Sequence, residues 1–313
     1  MPKSDYKKEM LSLIVTVFNE ADTIEDFLLS VQQQSLAPTE LIIVDAQSTD
    51  NTVNLIKKFA KKTSLNLKLL VKAGNRSVGR NFAARHSRGT YLAITDAGCI
   101  LDKNWLQELW RKQQTTDAPV VAGYYQGLAN TAFEEATIPY FLVMPERVRD
   151  EKFLPATRSM LIKKSLWLEM GGLNEKLSIS EDYHLANRLK NKGIKIAFSR
   201  KAIVYWLPPS NIKQFFQKIF AFAKGDAATA LIRPKVYLIF LRYLIFLAIL
   251  VFFPNLYLIF SLIFLYLLWA MMKNLKYCPR SFFYLPMLQV VADVAVMIGT
   301  SVGRFQANLA SKD

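Results

Sequence analysis

The chain has 313 residues, 52% of them hydrophobic, with a formal net charge of +15 and only two cysteines and two histidines. That length suits one large domain or one domain with an appendage, and the cysteine and histidine counts exclude a disulfide framework and a histidine-based metal centre. No zinc-finger or aromatic RNA-binding signature accompanies the charge, so nucleic acid is not an expected partner; basic residues flanking an apolar tail suit an anionic membrane surface instead.

The start, MPKSDYKKEM, is charged and does not read as a signal peptide. Residues 11–18 (LSLIVTVF) read as a buried strand. Residues 21–33 follow as a helix with Ile24, Phe27, Leu28 and Val31 on one face, and an Asp22–Glu25 pair fits its start. Next come a strand at 41–44, a helix at 49–62, a strand at 67–71, a helix at 77–87 and a fourth strand at 91–95. This alternation predicts a parallel sheet with helices on both faces, whose ligands bind beyond the carboxyl ends of the strands. There is no GxGxxG and no Walker-type lysine loop, which removes the usual dinucleotide and P-loop readings.

The strand ends carry acids instead. The first strand ends in Phe18-Asn19-Glu20, the second in Asp45 with Ser48 and Asp50 following, and the fourth in Asp96-Ala97-Gly98. One loop acid, such as Asp50, commonly caps a helix. Three acid-bearing strand ends on one edge make a candidate site.

The tail is apolar. Residues 236–253 and 256–272 are two greasy runs separated by Pro254-Asn255, each near the lower length limit for a membrane span. Arg242 interrupts the first; it costs about 2.5–3.5 kcal/mol on insertion scales, and several Leu, Ile and Phe at about −0.5 kcal/mol each outweigh it. A third run, 282–303, contains Asp293 and a Gly299-x-x-x-Gly303 spacing suited to close helix packing. Ahead of them, residues 212–223 carry one apolar stripe, read either as a helix in the membrane interface or as one packed on the front domain. Lys273, Lys276 and Arg280 lie in the connector after the second run, whereas the Pro254-Asn255 turn is uncharged. The connector, and with it the front domain, is therefore expected on the cytoplasmic side of the cell membrane. The expected organisation is a front domain over 1–208, an amphipathic helix and linker over 209–235, membrane helices within 236–303, and a tail over 304–313.

Five stretches in order resemble the family-2 glycosyltransferases: TVFNEADTIEDFLLSVQQQS, ELIIVDAQSTDNT, GRNFAARHSRGTYLAITDAG, MGGLNEKLSISEDYHLANRLKNKGIKIAF and FAKGDA. Together they cover most of residues 11–226. The resemblance implies a GT-A fold, an α/β Rossmann-like mixed sheet with helices on both faces, followed here by a C-terminal helical membrane module. It implies an inverting transfer from a UDP- or GDP-sugar. Because the tail holds the site at the bilayer, the expected acceptor is membrane-associated, such as a polyprenyl phosphate or lipid-linked glycan.

The resemblance also implies roles. Asp45 contacts the base and ribose of the donor, Arg80 holds the base or diphosphate, and Asp96 sits at the diphosphate and a divalent cation, Mg²⁺ or Mn²⁺. Asp182 is the general base, with Glu181 beside it; as plain chemistry, Asp182 also suits the N-terminus of the helix that follows. Phe18, Glu20 and Ser48 complete the expected donor-binding set. Arg158 and Ser159 fall where the family has acceptor-side loop residues. His184 is expected on the helix after Asp182 without chemistry, Tyr124 and Tyr125 read either as packing residues or as lining for an acceptor pocket, and Trp206, Pro208 and Pro209 as the exit from the front domain.

The sequence departs from the family in three places. Gly98 stands where the metal motif has its second aspartate, and Ala46-Gln47 where the nucleotide turn often has Asp-Gly. The Gln-X-X-Arg-Trp motif of polymerising members is absent, which favours transfer of a single sugar. Gly98 also motivates an alternative, a non-catalytic nucleotide-sugar-binding membrane protein with a degenerate metal site.

Overall fold

The computed structural model describes residues 10–150, 153–177, 179–228 and 232–310. They fall into two compact units, one of residues 1–126 and 147–207, the other of 127–146 and 208–313.

The first unit runs β1 (Leu11–Val17), α1 (Ile24–Gln32), β2 (Glu40–Asp45), α2 (Thr52–Ala60), β3 (Leu67–Val71), α3 (Arg76–His86), β4 (Tyr91–Thr95), β5 (Cys99–Leu101), α4 (Trp105–Thr116) and β6 (Val120–Gly127). After α5 (Ala132–Phe141), which belongs to the second unit, it resumes with β7 (Ser159–Lys163), α6 (Lys164–Glu169), α7 (Glu181–Asn191) and β8 (Ile196–Trp206). The strands form one sheet in the order β3-β2-β1-β4-β7-β6-β8-β5. The β3-β2-β1-β4 part is parallel. Its central strands are apolar without alternation because helices cover both faces: every residue of β2 and β4 is buried. The β4–β7, β7–β6 and β8–β5 pairs are antiparallel, with Thr95 opposite Ser159. The sheet is therefore mixed.

Trp105 and Trp167 are fully buried; the indole of Trp105 donates to Ser159 Oγ at 2.8 Å, which satisfies its one polar atom. Helix α1 departs from the expected start. Thr23, not Asp22, is the residue before its first turn, and no side chain caps it; the Thr23 hydroxyl donates to Glu20 Oε2 at 2.6 Å instead.

The second unit holds α5, α8 (Ile212–Ala228), α9 (Pro234–Phe252), α10 (Leu256–Leu275) and α11 (Leu285–Ala310). Residues 127–146, assigned from sequence to the front domain, join this unit because α5 has its apolar partners here: Ala136 is buried with Phe215, Ile219, Leu285, Leu288 and Ala292. The apolar stripe of residues 212–223 likewise faces protein, with Phe215 and Ile219 in that cluster. Helices α8 and α11 approach closely because Gly299 and Gly303 lack side chains. A Cβ on Gly299 would lie 2.6 Å from the Phe220 carbonyl oxygen, and one on Gly303 would run into that of Lys224.

Among the described residues three helical segments are long and apolar enough to cross a membrane: Pro234–Phe252, Leu256–Leu275 and Pro279–Asn308, which includes most of α11. Their polar residues find one another. Asp293, 1% exposed, pairs with Arg242 and accepts from Tyr266 Oη at 2.5 Å and Gln289 Nε2 at 2.9 Å. The Arg242 guanidinium lies 4.9 Å from the Tyr266 ring and 5.3 Å from that of Trp269. A charge expensive in hydrocarbon is thus neutralised and shielded by its neighbours.

Candidate active site

The carboxyl ends of β1, β2 and β4 meet at one edge, and two of their loops are stitched together. Asn19 N donates to Ser48 Oγ at 2.9 Å, Thr49 N to Asn19 Oδ1 at 2.8 Å, Glu20 N to Thr52 Oγ1 at 2.8 Å and Ala21 N to Asp50 Oδ2 at 3.0 Å. Asp50 also accepts from Thr52 N at 3.0 Å, so it closes the start of α2. Asp45 is buried, and its Oδ2 accepts from Gln47 N at 3.0 Å and Ser48 N at 3.1 Å. Its carboxylate shapes the turn that follows β2. Phe18, by contrast, is 56% exposed at the same edge.

Backbone strain collects here. Four non-glycine residues among those described have left-handed φ angles, and Asn19 (55°), Gln47 (67°) and Ser180 (61°) flank the strand ends or begin α7. Such residues persist where the surroundings hold them, commonly at functional sites.

Arg80 links the two ends of the site. Only 2% exposed, it donates through Nη1 to Glu181 Oε1 at 3.0 Å and through Nη2 to Asp96 Oδ1. Arg158 adds an ion pair from Nε to Asp96 Oδ2 at 3.4 Å, and Arg76 lies 3.8 Å from Glu181. Burial works to raise the Asp96 pKa, but the guanidinia of Arg80, Arg158 and Arg76 outweigh it and hold the carboxyl below the usual range. Glu181 goes the other way: burial pushes it up, and Arg80 and Arg76 offset that only in part. Burial also raises Glu20, against its Thr23 hydrogen bond, and the charges of Asp96 and Asp50 add to the rise.

A clamp from the start of α3 holds residues 173–177, ahead of α7 in the chain. Asn81, 4% exposed, donates from Nδ2 to Leu173 O at 2.8 Å and to Glu175 Oε1 at 3.0 Å, and accepts from Leu173 N at 2.9 Å. Asn75 Nδ2 and Ser77 Oγ donate to backbone carbonyls of Glu175 and Leu177. Gly172, at φ 65°, fits against Asn81 where a side chain would collide. Asp182 itself is half-buried in the first turn of α7.

With this geometry in place, the comparisons with known proteins are specific. A model described as Glycosyl transferase family 2 matches residues 12–167, and one described as Glycosyl transferase family group 2 matches residues 114–292. The chain belongs to glycosyltransferase family 2. It is similar to Glycosyltransferase AglE of Haloferax volcanii, 24% identical over 225 residues, which are 69% of this chain and 72% of that protein. It is also similar to poly-beta-1,6-N-acetyl-D-glucosamine synthase of Staphylococcus epidermidis, 22% identical over 71% of this chain; the match spans 56% of the synthase's length. Among solved structures, mannosyltransferase PcManGT from Pyrobaculum calidifontis, in complex with GDP-Man and Mn²⁺, superposes with a TM-score of 0.64 at 17% identity. That match covers 92% of this chain and 87% of PcManGT, and the likeness shows the GT-A fold.

The family-2 fold brings together Glu20, Asp45, Ser48, Arg80, Asp96 and Glu181, with Asp182 one residue beyond. Sequence reasoning missed the Arg158 bond to Asp96 and the Asn81 clamp, because each depends on a partner far along the chain. A divalent cation, which this fold holds in PcManGT, fits the edge through few protein oxygens. Asp96 is a quarter exposed. The Glu20 carboxylate oxygens lie 3.6 and 3.9 Å from where a Cβ on Gly98 would be, so an acid stands beside the position that lacks one. No three His, Cys, Asp or Glu residues gather as a metal site among the described residues. Donor phosphates and water would complete the shell, as Mg²⁺ readily accepts.

Proposed function

We propose that this family-2 glycosyltransferase moves one sugar, with inversion, from a UDP- or GDP-sugar to a membrane-associated acceptor such as a polyprenyl phosphate or lipid-linked glycan. The observation that carries the reading is the Arg80 bridge, which joins Asp96 at the donor edge to Glu181 beside Asp182. The stitched turn around Asp45 and Ser48 suits the nucleoside, and exposed Phe18 suits the face of its base. Asp182 accepts the proton of the attacking hydroxyl; a positioned carboxylate typically contributes about 10²–10⁴-fold. Direct attack from the face opposite the diphosphate inverts the anomeric carbon. Asp96 would hold a Mg²⁺ or Mn²⁺ ion, which supplies positive charge to the diphosphate when bound. The apolar helices support placement at the cell membrane, with the sheet unit on the cytoplasmic side.

The test is transfer from radiolabelled UDP- and GDP-sugars to polyprenyl phosphate, or to a lipid extract, by the full chain in lipid nanodiscs. Labelled lipid made by the wild type and not by Asp182→Asn is the expected result. Label released only as free sugar, or no turnover with any donor, overturns the proposed reaction.

A further inference from the structure

We propose that Arg158 is a catalytic residue of this transferase, whose guanidinium holds the donor diphosphate and carries the charge that builds on the leaving phosphate. The inference rests on the reading of Asp96 as the diphosphate edge.

The sheet places the residue. Antiparallel pairing of β4 and β7 sets Ser159 opposite Thr95, so one step beyond that pair Arg158 and Asp96 leave the sheet side by side. The two then make their ion pair at 3.4 Å. A register held by paired strands is firmer than a loop contact, and rigid placement is what a transition-state contact requires.

The surroundings present the guanidinium. Its central carbon lies 5.3 Å from the Tyr125 ring centroid and 5.3 Å from that of Trp206. Those rings stand on β6 and β8, so sheet strands carry both walls. Stacking on an aromatic face fixes the plane of a guanidinium without occupying its N–H donors. Asp96 engages Nε, and among the described residues no hydrogen bond takes the two terminal nitrogens, which suit bidentate recognition of a phosphate.

Charge singles out Arg158 from its neighbours. Arg80 has both terminal nitrogens engaged, by Asp96 and Glu181, and is only 2% exposed. It cannot turn to a ligand without stranding a buried carboxylate. Arg158 keeps 22% of its side chain exposed, so its guanidinium is open to a ligand at this edge.

The step then balances. As an acceptor hydroxyl oxygen bonds to the anomeric carbon, the bond from that carbon to the β-phosphate oxygen breaks. Its electron pair leaves on the nucleoside diphosphate, against Arg158, and the hydroxyl proton goes to Asp182.

The experiment is calorimetric binding of UDP, UMP, GDP and GMP to the full detergent-purified chain, in EDTA and in Mn²⁺, for wild type, Arg158→Gln and Arg158→Lys. In EDTA the wild type is expected to prefer the diphosphate of its own base over the monophosphate. Arg158→Gln should lose about ten- to a hundredfold of that preference, the range for a charge-assisted hydrogen bond, with monophosphate affinity unchanged. Arg158→Lys should recover part of it. Trp206→Leu, which removes one wall and leaves the Asp96 pair, should weaken diphosphate binding alone and serves if Arg158→Gln does not fold. With transfer followed in parallel, kcat should fall in Arg158→Gln while the KM for acceptor stays. An unchanged diphosphate preference in the Arg158 variants overturns the inference and leaves the transferase reading standing. A wild type that binds none of the four nucleotides overturns the donor site itself, and this inference with it.

Discussion

Replacing Arg80 with methionine tests whether the buried bridge is an ion pair that the fold depends on. Arg80 and Glu181 have side-chain exposures of 2% and 4% and lie 3.0 Å apart. Without the guanidinium, the ion-pair partner left to Glu181 among the described residues is Arg76, at 3.8 Å and half exposed. Removing one partner of a buried pair costs about 3–5 kcal/mol, which for a unit of this size lowers the melting midpoint by about 6–20 °C. The pH dependence gives the sharper readout. Glu181 has a raised pKa in the folded protein, and losing Arg80 raises it further. In the window between the unfolded and folded values the folded state binds more protons, so stability falls as pH rises through that window. The Arg80→Met deficit should therefore be small near about pH 5 and full near about pH 8. Thermal unfolding of the detergent-purified chain at both pH values, for Arg80→Met, Glu181→Gln and the double variant, measures it. The double variant should melt above Arg80→Met at pH 8, since no charge is then stranded. An equal deficit at both pH values, with no recovery in the double variant, refutes the reasoning.

Three other substitutions have defined outcomes. Asp182→Asn should lower turnover by about 10²–10⁴-fold with nucleotide affinity unchanged, and a loss below tenfold in the transfer assay removes Asp182 from the role of base. Gly172→Ala places a methyl group against Asn81 at a left-handed φ; it should cost about 1–3 kcal/mol by disturbing the Asn81 bonds to Leu173 and Glu175, and an unshifted melting midpoint contradicts this. Gly303→Leu drives a side chain into the α8 backbone and should destabilise the helical unit by about 1–3 kcal/mol, read from its melting midpoint; a midpoint equal to wild type shows that the two helices tolerate a wider spacing.

What the sequence disclosed followed from local chemistry. Strands β1 and β2 are legible because burial on both faces makes them continuous apolar runs, and Asp45 and Asp96 stand out because a strand end is a fixed address. Strand β8 is obscured by Ser199-Arg200-Lys201 in its middle, and β5 is only three residues long. The stripe on α8 is visible as periodicity, but periodicity does not name the partner, and α11 supplies it. Asp22 has a capping residue's chemistry, yet Thr23 is turned towards Glu20 and the cap goes unused. Arg158 resembles any surface arginine until the register of β4 and β7 sets it beside an aspartate 62 positions away.

The excursion of α5 bears on how the protein is made and divided. The chain leaves the sheet unit after Gln126, contributes α5 to the helical unit, returns at Arg147 and leaves again after Leu207. A truncated protein ending at Leu207 would retain α5 while discarding Phe215, Leu285 and Leu288, which cover it. Its apolar face, including Phe133, Tyr140 and Phe141, would then lie open to water, so a soluble fragment needs residues 128–146 replaced by a short polar loop. On the ribosome the same arrangement leaves α5 waiting for partners synthesised later.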